Sequence, residues 1–531
     1  MKVIKFIKSK RVATLLMVGV LLGACSDFID INADPNNPTD PQLALLLPAT
    51  QLSIVGNFNT INRGASNVIQ HRAAGGLNRW DQTGTTFQAT WLGYYTQAIP
   101  DLEQMITTGT EQESWGYLGI AKLQKAFLYG MMVDLWGDLP YYEAAKSANP
   151  RFDSGEEIYS DLLKLIDEAK ADINKGFSVV PSSDLIYQGS REKWIKFANS
   201  LKFKFYLQTK NVNPTASAQG ISALLAENNL IDSNEDDFTF LFGSSPAPET
   251  RHPWYTTGYS PSRDGYVSMV LHDRLKEQDD PRLRYYIFRL NEKAGLANSQ
   301  VGEGYYGRYP GDGAASPADQ QTRAIVGIYP SGGVFDNGMI PSIPDDQGLL
   351  NNIGATTGAS ANSFRLVLFA NGDGTGAGIQ PLLTNSMMKF YRAEAALTLN
   401  TGENAGELLT QAVAANMEAI SALSPAFPIS SASILRFNER LLGEFEAASP
   451  EDKLALVMMQ KWIAMYGNGV ESYNDYRRTG LPELVELISP LDVFPQRFFF
   501  SETELTSNET VIETREQLQR NQQIIPVFWS R

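Results

Sequence analysis

The stretch YLGIAKLQKAFLYGMMVDL, residues 117–135, indicates the fold of this 531-residue chain more clearly than any other. Its apolar side chains recur every three or four residues, at Leu118, Ala121, Leu128, Met132 and Leu135. This spacing follows the 3.6-residue turn of an α-helix and places the five side chains on one face. The stretch therefore predicts a long helix that buries this face against a neighbouring element.

Further helical segments follow in pairs. The partner of 117–135 begins at Asp153-x-x-Glu156, which has the spacing of a capping box. Its apolar face is Ile158, Leu162, Ile166 and Ala169. A second pair spans 191–207 and 216–229, and a third spans 384–400 and 404–421, where Asn404 begins the second helix. A last helix begins at Ser449, with Pro450 at its first position.

Helix pairs of about 34–40 residues are typical of tetratricopeptide-like stacking. The residue pattern matches that repeat only in part. Trp115-x-x-Leu118-Gly119 agrees with its start, whereas Lys122 occupies its Tyr position. We therefore predict a mainly α fold, in which a tetratricopeptide-like helix-pair scaffold carries large irregular insertions.

Composition divides the scaffold into two parts. Residues 231–383 are rich in Gly, Ser, Pro and Tyr and show few helical periods. A structureless loop of that length is uncommon inside a compact domain, so we predict a loop-rich ligand subdomain there. The N-terminal helical scaffold is then 42–230, and the C-terminal scaffold and tail are 384–531. A second irregular stretch is expected, less clearly, at 56–100.

The N-terminus has the layout of a secretory signal. Five basic residues precede an apolar run at 12–22, which is too short to span a bilayer by itself. Leu22-Gly23-Ala24-Cys25 then resembles the lipobox of bacterial lipoproteins. We expect cleavage after residue 24, a lipid on Cys25 and a flexible Pro- and Asn-rich tether at 25–41. The alternative is a free thiol in an ordinary signal peptide.

Charge and hydropathy bear on two kinds of partner, nucleic acid and the membrane. Removal of the five basic residues lowers the formal net charge from −15 to −20. We expect no nucleic acid partner for so acidic a chain, because phosphate binding needs clustered Lys and Arg. No later segment is long and apolar enough to span a bilayer, so we expect a lipid anchor to be the only membrane contact.

Motifs for catalysis and metal binding are missing from the sequence. The three histidines, His71, His252 and His272, show no metal-ligand spacing, and the chain has no HExxH, P-loop or GxSxG motif. We predict no metal, no cofactor and no catalytic residue. Paired carboxylates for glycoside hydrolysis remain open, because the distance between them cannot be read from a sequence.

Aromatic residues in loop segments are the candidate ligand contacts. An exposed aromatic ring presents a flat apolar face to a sugar ring or a peptide side chain. The candidates are Trp80, Asp81, Trp254, Tyr255, Tyr259, Tyr305 and Tyr306. The alternative is that these rings pack the core of the loop-rich subdomain.

Several segments together resemble one family, the SusD/RagB nutrient-binding outer-membrane lipoproteins. They are the lipobox, GDLPYYEA (137–144), FDSGEEIYSDLLKLIDEA (152–169), WIKFANSLKFKF (194–205), DPRLRYY (280–286), FYRAEAAL (390–397), NGVESYNDYRRTGLP (468–482) and PVFW (526–529). The YRRTG and AEAA segments resemble the SusD-like 2 branch most. The resemblance covers nearly the whole chain.

The resemblance implies four tetratricopeptide-like helix pairs, an irregular ligand-bearing subdomain and no catalysis. It also implies a partner, a SusC-type TonB-dependent outer-membrane transporter, to which oligosaccharides or oligopeptides are delivered. The helical face would contact the transporter and the loop face the nutrient. The acidic run at 26–30 is similar to the signal that places such lipoproteins on the cell surface.

Three functions therefore remain open at the level of sequence. The first is a non-catalytic surface-binding lipoprotein with a transporter partner. The second is a lipid-anchored hydrolase that acts on glycans or peptides. The third is a structural or adhesive surface protein with no small ligand.

Overall fold

The computed structural model of the protein describes residues 42–73, 82–258, 266–288, 305, 307–312, 324–326, 376–423, 428–486, 494–511, 514–521 and 524–530. The predicted signal peptide 1–24, Cys25 and the tether up to residue 41 lie outside these ranges. Much of the predicted loop-rich subdomain also lies outside them. The predictions for these segments therefore stay predictions.

The N-terminal half is built from helices. They are α1 (Leu43–Val68), α2 (Gln88–Gly93), α3 (Ile99–Glu111), α4 (Trp115–Trp136), α5 (Gly155–Lys175), α6 (Arg191–Gln208) and α7 (Pro214–Glu227). A π-helical turn, Tyr94–Ala98, joins α2 to α3. None of the described helices combines the length and apolar character needed to cross a bilayer.

The helix predicted from residues 117–135 is confirmed as α4, and all five residues of its predicted face are buried. Most of the rest of α4 is buried too, because the helix packs against α3, α5 and α6; Trp115, Lys122 and Lys125 are partly exposed. Gly119 and Gly130 allow this close packing. A Cβ at Gly119 would lie 2.5 Å from Ile173 of α5, and one at Gly130 would lie 2.4 Å from Phe205 of α6. The central helix is therefore enclosed by its neighbours.

The apolar face predicted for α5 is confirmed, but its predicted capping box is wrong. The N-cap position belongs to Ser154, and the Asp153 carboxylate instead accepts from the backbone N–H groups of Tyr141 and Tyr142 at 3.0 and 2.9 Å. Asp138 supplies a cap from the preceding loop, because its carboxylate accepts from the N–H of Gly155 at 2.9 Å. Tertiary structure thus provides the acceptor that the local sequence was expected to supply.

The irregular stretch expected at 56–100 is wrong over much of its length, because α1 continues to Val68 and helix resumes at Gln88. Gly56 and several Asn residues lower the helix propensity there. The buried side chains of Ile54, Phe58 and Ile61 hold the helix against its neighbours. Packing of an apolar face therefore outweighs weak local propensity.

The described residues in the middle of the chain include three short helices, α8 (Pro253–Gly258), α9 (Met269–Glu277) and α10 (Leu283–Tyr286). The described strands are β1 (Arg72–Ala73), β2 (Phe238–Phe242), β3 (Tyr266–Val267), β4 (Ile287–Phe288), β5 (Ile325–Val326) and β6 (Gly378–Leu383). They form three antiparallel pairs, β1–β3, β2–β6 and β4–β5. In the β2–β6 pair Phe238 lies opposite Leu383, so the two ends of the 231–383 segment meet in one ladder.

The C-terminal half continues the helical scaffold. Its helices are α11 (Asn385–Leu399), α12 (Ala405–Leu423), α13 (Ser431–Ala447), α14 (Pro450–Ala464), α15 (Gly469–Thr479), α16 (Glu502–Ser507) and α17 (Arg515–Asn521). The predicted pairs 191–207 with 216–229 and 384–400 with 404–421 are confirmed to within two residues at each end. Asn404 and Ser449 cap α12 and α14, as predicted, because their side-chain oxygens accept from backbone N–H groups in the first turn of each helix.

Five buried ionisable side chains, the central ion cluster, join the two halves of the scaffold: Lys210, Glu394, Lys461, Asp475 and Arg478. The Glu394 carboxylate lies 3.0 Å from Lys210 Nζ, 3.2 Å from Lys461 Nζ and 2.7 Å from Arg478 Nη2. Asp475 contacts Lys461 and Arg478 at 2.8 and 2.6 Å. Burial opposes ionisation of Glu394, but the three cations outweigh it and hold its pKa well below the usual range.

A second buried polar group connects α4 to the end of the chain. Lys204 Nζ lies 2.5 Å from Glu471 and 3.6 Å from Asp134. Tyr391 donates its hydroxyl to Glu471 at 2.7 Å, and Trp529 donates its indole N–H to Asp134 at 2.9 Å. Burial raises the pKa of Asp134. The C-terminal PVFW segment is therefore anchored on the central helix.

The buried carboxyl group of Asp237 is expected to make the free energy of unfolding depend on pH. Its carboxylate accepts from the backbone N–H of Asn385 at 2.7 Å, and burial raises its pKa from 3.8 to about 7. The unfolded chain loses this proton at lower pH than the folded chain, so the stability it contributes is lost as pH rises from about 4 to about 7. We expect Asp237→Asn, which keeps an acceptor, to exceed the native protein in unfolding free energy by about 1–3 kcal/mol at alkaline pH.

Denaturant unfolding over a pH series measures this difference. The control is Asp167→Asn, which changes an exposed carboxylate paired with Lys202 and should give a profile parallel to the native one. A difference between Asp237→Asn and the native protein that stays constant with pH would contradict the assignment.

Candidate ligand-binding site

Short backbone pairings bring three distant segments together. Arg72 and Ala73 of β1 pair with Val267 and Tyr266 of β3. The backbone N–H of Arg308 donates to the Val267 carbonyl at 3.0 Å, and its own carbonyl accepts from Met269 at 3.0 Å. We call residues 72–73, 266–268 and 307–309 the loop junction. Arg72 and Val267, which pair there, are 195 residues apart in sequence.

The predicted ligand residues adjoin this junction along the chain. In the sequence, Trp80 and Asp81 follow β1, and Tyr259 follows α8. Tyr305 and Tyr306 come just before Gly307 and Arg308, and Arg308 forms a β-bridge with Ser268. Trp80, Asp81, Tyr259 and Tyr306 lie outside the described residues. The described candidates are therefore Trp254, Tyr255 and Tyr305.

Trp254 is buried beside the junction, with 4% of its surface exposed. The guanidinium Cζ of Arg72 lies 5.1 Å from its ring centroid, and the Tyr466 ring packs against it at 5.5 Å. Its indole Nε1 is buried without a hydrogen-bond partner among the described residues. A buried donor without an acceptor is costly, so this N–H is expected to pair with a group that the described residues do not supply.

Tyr255 is also buried, and the Arg251 guanidinium lies 5.3 Å from its ring centroid. Arg251 donates two hydrogen bonds to Glu249, at 2.8 and 2.6 Å, and they hold the pKa of Glu249 at about 2. The chain reverses closely here, because a Cβ at Gly376 would lie 2.7 Å from both Arg251 and Tyr255. The Arg251–Glu249 pair thus presents an ionised donor and acceptor at the surface.

Tyr305 completes the described set and is 4% exposed. Its ring lies 4.7 Å from that of His272, whose Nδ1 is hydrogen-bonded to Asp273 at 2.8 Å. Tyr309 donates its hydroxyl to the other oxygen of Asp273. Beside them the Arg308 guanidinium lies 3.8 Å from the Tyr266 ring centroid. Arginine on aromatic faces is the recurring contact of this site.

The sequence did not single out Arg72, Arg308 or His272 as members of this site. Their signal was weak, since each is a single polar residue whose partner ring lies more than 30 residues away in sequence. The three described candidate rings are buried, as the core-packing alternative expects. Their role in ligand binding stays a prediction. Over the described ranges no group of three or more His, Cys, Asp and Glu side chains is placed to hold a metal ion.

Solved structures similar to this one come from the same family of folds. A SusD/RagB family protein from Bacteroides thetaiotaomicron is 19% identical, with a TM-score of 0.68 and coverage of 92% of this chain and 99% of that one. A chitin-binding SusD homolog from Flavobacterium johnsoniae is 18% identical, with a TM-score of 0.69 and coverage of 91% and 98%. A further structure, described as a chitin-binding protein, is 20% identical, with a TM-score of 0.71 and coverage of 92% and 100%.

The likeness to these structures shows a mainly helical, SusD-like fold with a tetratricopeptide-like scaffold, as predicted. No curated protein sequence matches the chain. The family model for SusD-like 2, described as starch-binding proteins that associate with the outer membrane, matches residues 35–500. That match spans most of the sequence, and the chain therefore belongs to the SusD-like 2 family.

Proposed function

We propose that this protein is a non-catalytic binding protein of the outer-membrane surface, which captures oligosaccharides at the loop junction. Its family membership over residues 35–500 is the observation that carries the proposal. The loop junction supports it, because three segments rich in aromatic and arginine residues meet there. Trp80, Asp81, Tyr259 and Tyr306, which are near the junction residues in sequence, are proposed to contact the ligand together with Trp254, Tyr255 and Tyr305.

A glycan is favoured over a peptide as the ligand. The family is described as starch-binding, and two of the similar structures are described as chitin-binding. The Arg251–Glu249 pair offers both donors and an acceptor, which suits sugar hydroxyl groups because each hydroxyl donates and accepts. Aromatic rings supply the apolar faces on which sugar rings stack. Binding of oligopeptides and of no oligosaccharide would contradict this choice.

Delivery to a SusC-type TonB-dependent transporter is part of the proposal, as is the lipid anchor at Cys25. The family description, which places these proteins at the outer membrane, supports both. The first described helix after the anchor, α1, exposes Leu45 and Leu52, which are 63% and 52% accessible. Residues seven apart lie on one helix face, so Leu45 and Leu52 share an exposed face of α1. Recovery of the protein from detergent extracts without any large barrel protein would contradict the transporter partner.

The indole N–H of Trp254 gives a direct test of the site. We expect Trp254→Phe, which keeps an aromatic ring and removes the unpaired donor, to weaken oligosaccharide binding by about 0.5–1.5 kcal/mol, the net value of one hydrogen bond. The matched control is Trp194→Phe. The Trp194 indole is already paired, donating to Asp184 at 2.8 Å. The control should lower stability and leave affinity unchanged.

Titration calorimetry and thermal melting of both variants separate the two roles. If Trp254→Phe binds oligosaccharides as tightly as the native protein, this indole N–H is not a ligand contact. The ring would then belong to the protein core alone.

A further inference from the structure

A cavity of about 420 Å³ lies on the scaffold, at the seam between the α6–α7 pair and the α11–α12 pair. We call it the seam cavity. The residues that line it include Leu225, Leu230, Asp232, Arg392, Thr401 and Glu403. None of these residues belongs to the loop junction, so an inference about this cavity does not depend on the proposed function.

Two polar atoms of the cavity lining have no partner. Thr401 Oγ1 and Glu403 Oε2 are buried, and neither has a hydrogen bond within the described parts of the chain. A buried hydroxyl and a buried carboxylate oxygen each lose free energy unless a partner is supplied. The cavity therefore holds an acceptor and a hydroxyl whose hydrogen bonds are still to be made.

The charges around the cavity are already balanced. Arg392 donates to the other oxygen of Glu403, Oε1, through Nε at 3.0 Å and through Nη2 at 2.5 Å. Asp232 is paired with Arg392 at 3.3 Å and with Lys389 at 2.6 Å. A cationic ligand would have to displace these arginine and lysine partners. An anion would have to displace the carboxylates from Arg392 and from Lys196, which also lines the cavity and is paired with Asp236 at 2.7 Å. The unused oxygen of Glu403 is therefore suited to a neutral hydroxyl donor.

Apolar surface completes the recognition chemistry. Leu225 and Leu230 line the same cavity and offer aliphatic contact for the C–H groups of a ring. The volume lies within the range of about 300–1,000 Å³ that is usual for small-molecule sites. We propose that the seam cavity binds a neutral polyhydroxylated small molecule, a mono- or disaccharide or a polyol, whose hydroxyl groups pair with Glu403 Oε2 and Thr401 Oγ1.

Hydrogen–deuterium exchange with mass spectrometry tests the proposal locally. The probes are glucose, N-acetylglucosamine and myo-inositol, each added at high millimolar concentration to the purified protein. We expect at least one of them to slow exchange in peptides that cover 225–232 and 401–407. The combined Thr401→Val and Glu403→Gln substitutions should abolish this protection.

Matched controls lie in the first two turns of α12, just after the cavity residues. Thr410 donates to backbone carbonyls, and Glu407 is exposed, so Thr410→Val with Glu407→Gln should keep the protection. The proposal is overturned if none of the three probes protects the cavity peptides, or if the Thr401 and Glu403 variant is protected as well as the native protein. Protection at 252–258 and 266–268 reports on the loop junction instead, so the two proposals fail separately.

Discussion

Replacing Glu394 with glutamine is expected to lower the free energy of unfolding by about 3–5 kcal/mol, the usual cost of removing one partner from a buried ion pair. Glu394 is the carboxylate that all three cations of the central ion cluster contact. Without its charge, the three buried cations share the single negative charge of Asp475, which contacts Lys461 and Arg478. Glutamine keeps the shape of the side chain and removes only the charge.

Two further variants make this result specific. Glu168→Gln, which changes a carboxylate that is 61% exposed and paired with Lys122, should cost less than about 1 kcal/mol. Adding Lys210→Met to Glu394→Gln should recover part of the lost stability, because one unpaired buried cation is removed. Denaturant unfolding at neutral pH measures all of them. A Glu394→Gln protein as stable as the Glu168→Gln protein would contradict the role of the cluster.

Mild acid is expected to destabilise the protein through two histidines. His71 and His252 are 1% and 3% exposed, and burial lowers the pKa of each from 6.5 to about 3. Each must be neutral in the folded state, whereas the unfolded chain binds a proton below pH 6.5. Their stability contribution is therefore complete above pH 6.5 and is lost as pH falls towards 3. At pH 5 the loss is about 2 kcal/mol for each histidine, or about 4 kcal/mol for both.

Non-titrating replacements that keep the hydrogen bonds test this prediction. His71 Nε2 lies 2.7 Å from the Trp462 carbonyl, so His71→Gln places an amide N–H in a similar position. His252 Nδ1 accepts from the backbone N–H of Trp254 at 3.1 Å, so His252→Asn retains an acceptor. The background should be Asp237→Asn, because Asp237 changes stability with the opposite sign over the same pH range.

The slope of unfolding free energy against pH, between about pH 5 and 6.5, is the quantity to measure. Each histidine replacement should reduce it by about 1.1 kcal/mol per pH unit, averaged over this range. Slopes that do not change in either variant would mean that these two histidines are protonated in the folded protein.

The helix pairs were predictable from the sequence because their signal is local. Residues such as Leu162 and Ile166 lie one turn apart, so their periodicity is visible without any knowledge of the fold. Asn404 and Ser449 were recognisable as caps for the same reason. The start of α5 was predicted wrongly because Asp138, its cap, lies 17 residues before the N–H that it accepts from.

The site could be located only in part. Aromatic residues in loop-like segments indicated the candidate segments, and described residues that flank those segments in sequence meet at the loop junction. Whether a ring such as Trp254 is covered depends on Arg72 and Tyr466, which are distant in sequence. Loop position alone therefore did not predict burial.

The segments that resembled the family carry structural chemistry. Glu394 lies in FYRAEAAL, and Asp475 and Arg478 lie in NGVESYNDYRRTGLP. The contact between Glu394 and Arg478 spans 84 residues of sequence. The pattern identified the family, while the pairing that gives these residues their role appears only in the folded chain.

Titration of the native protein with starch-type and chitin-type oligosaccharides, followed by mass spectrometry of the recovered sugars, tests the central claim most directly. We predict saturable binding to at least one oligosaccharide class, with every sugar recovered at its original length. Shorter products would show a hydrolase, and absence of binding to either class would contradict the proposed capture of glycans.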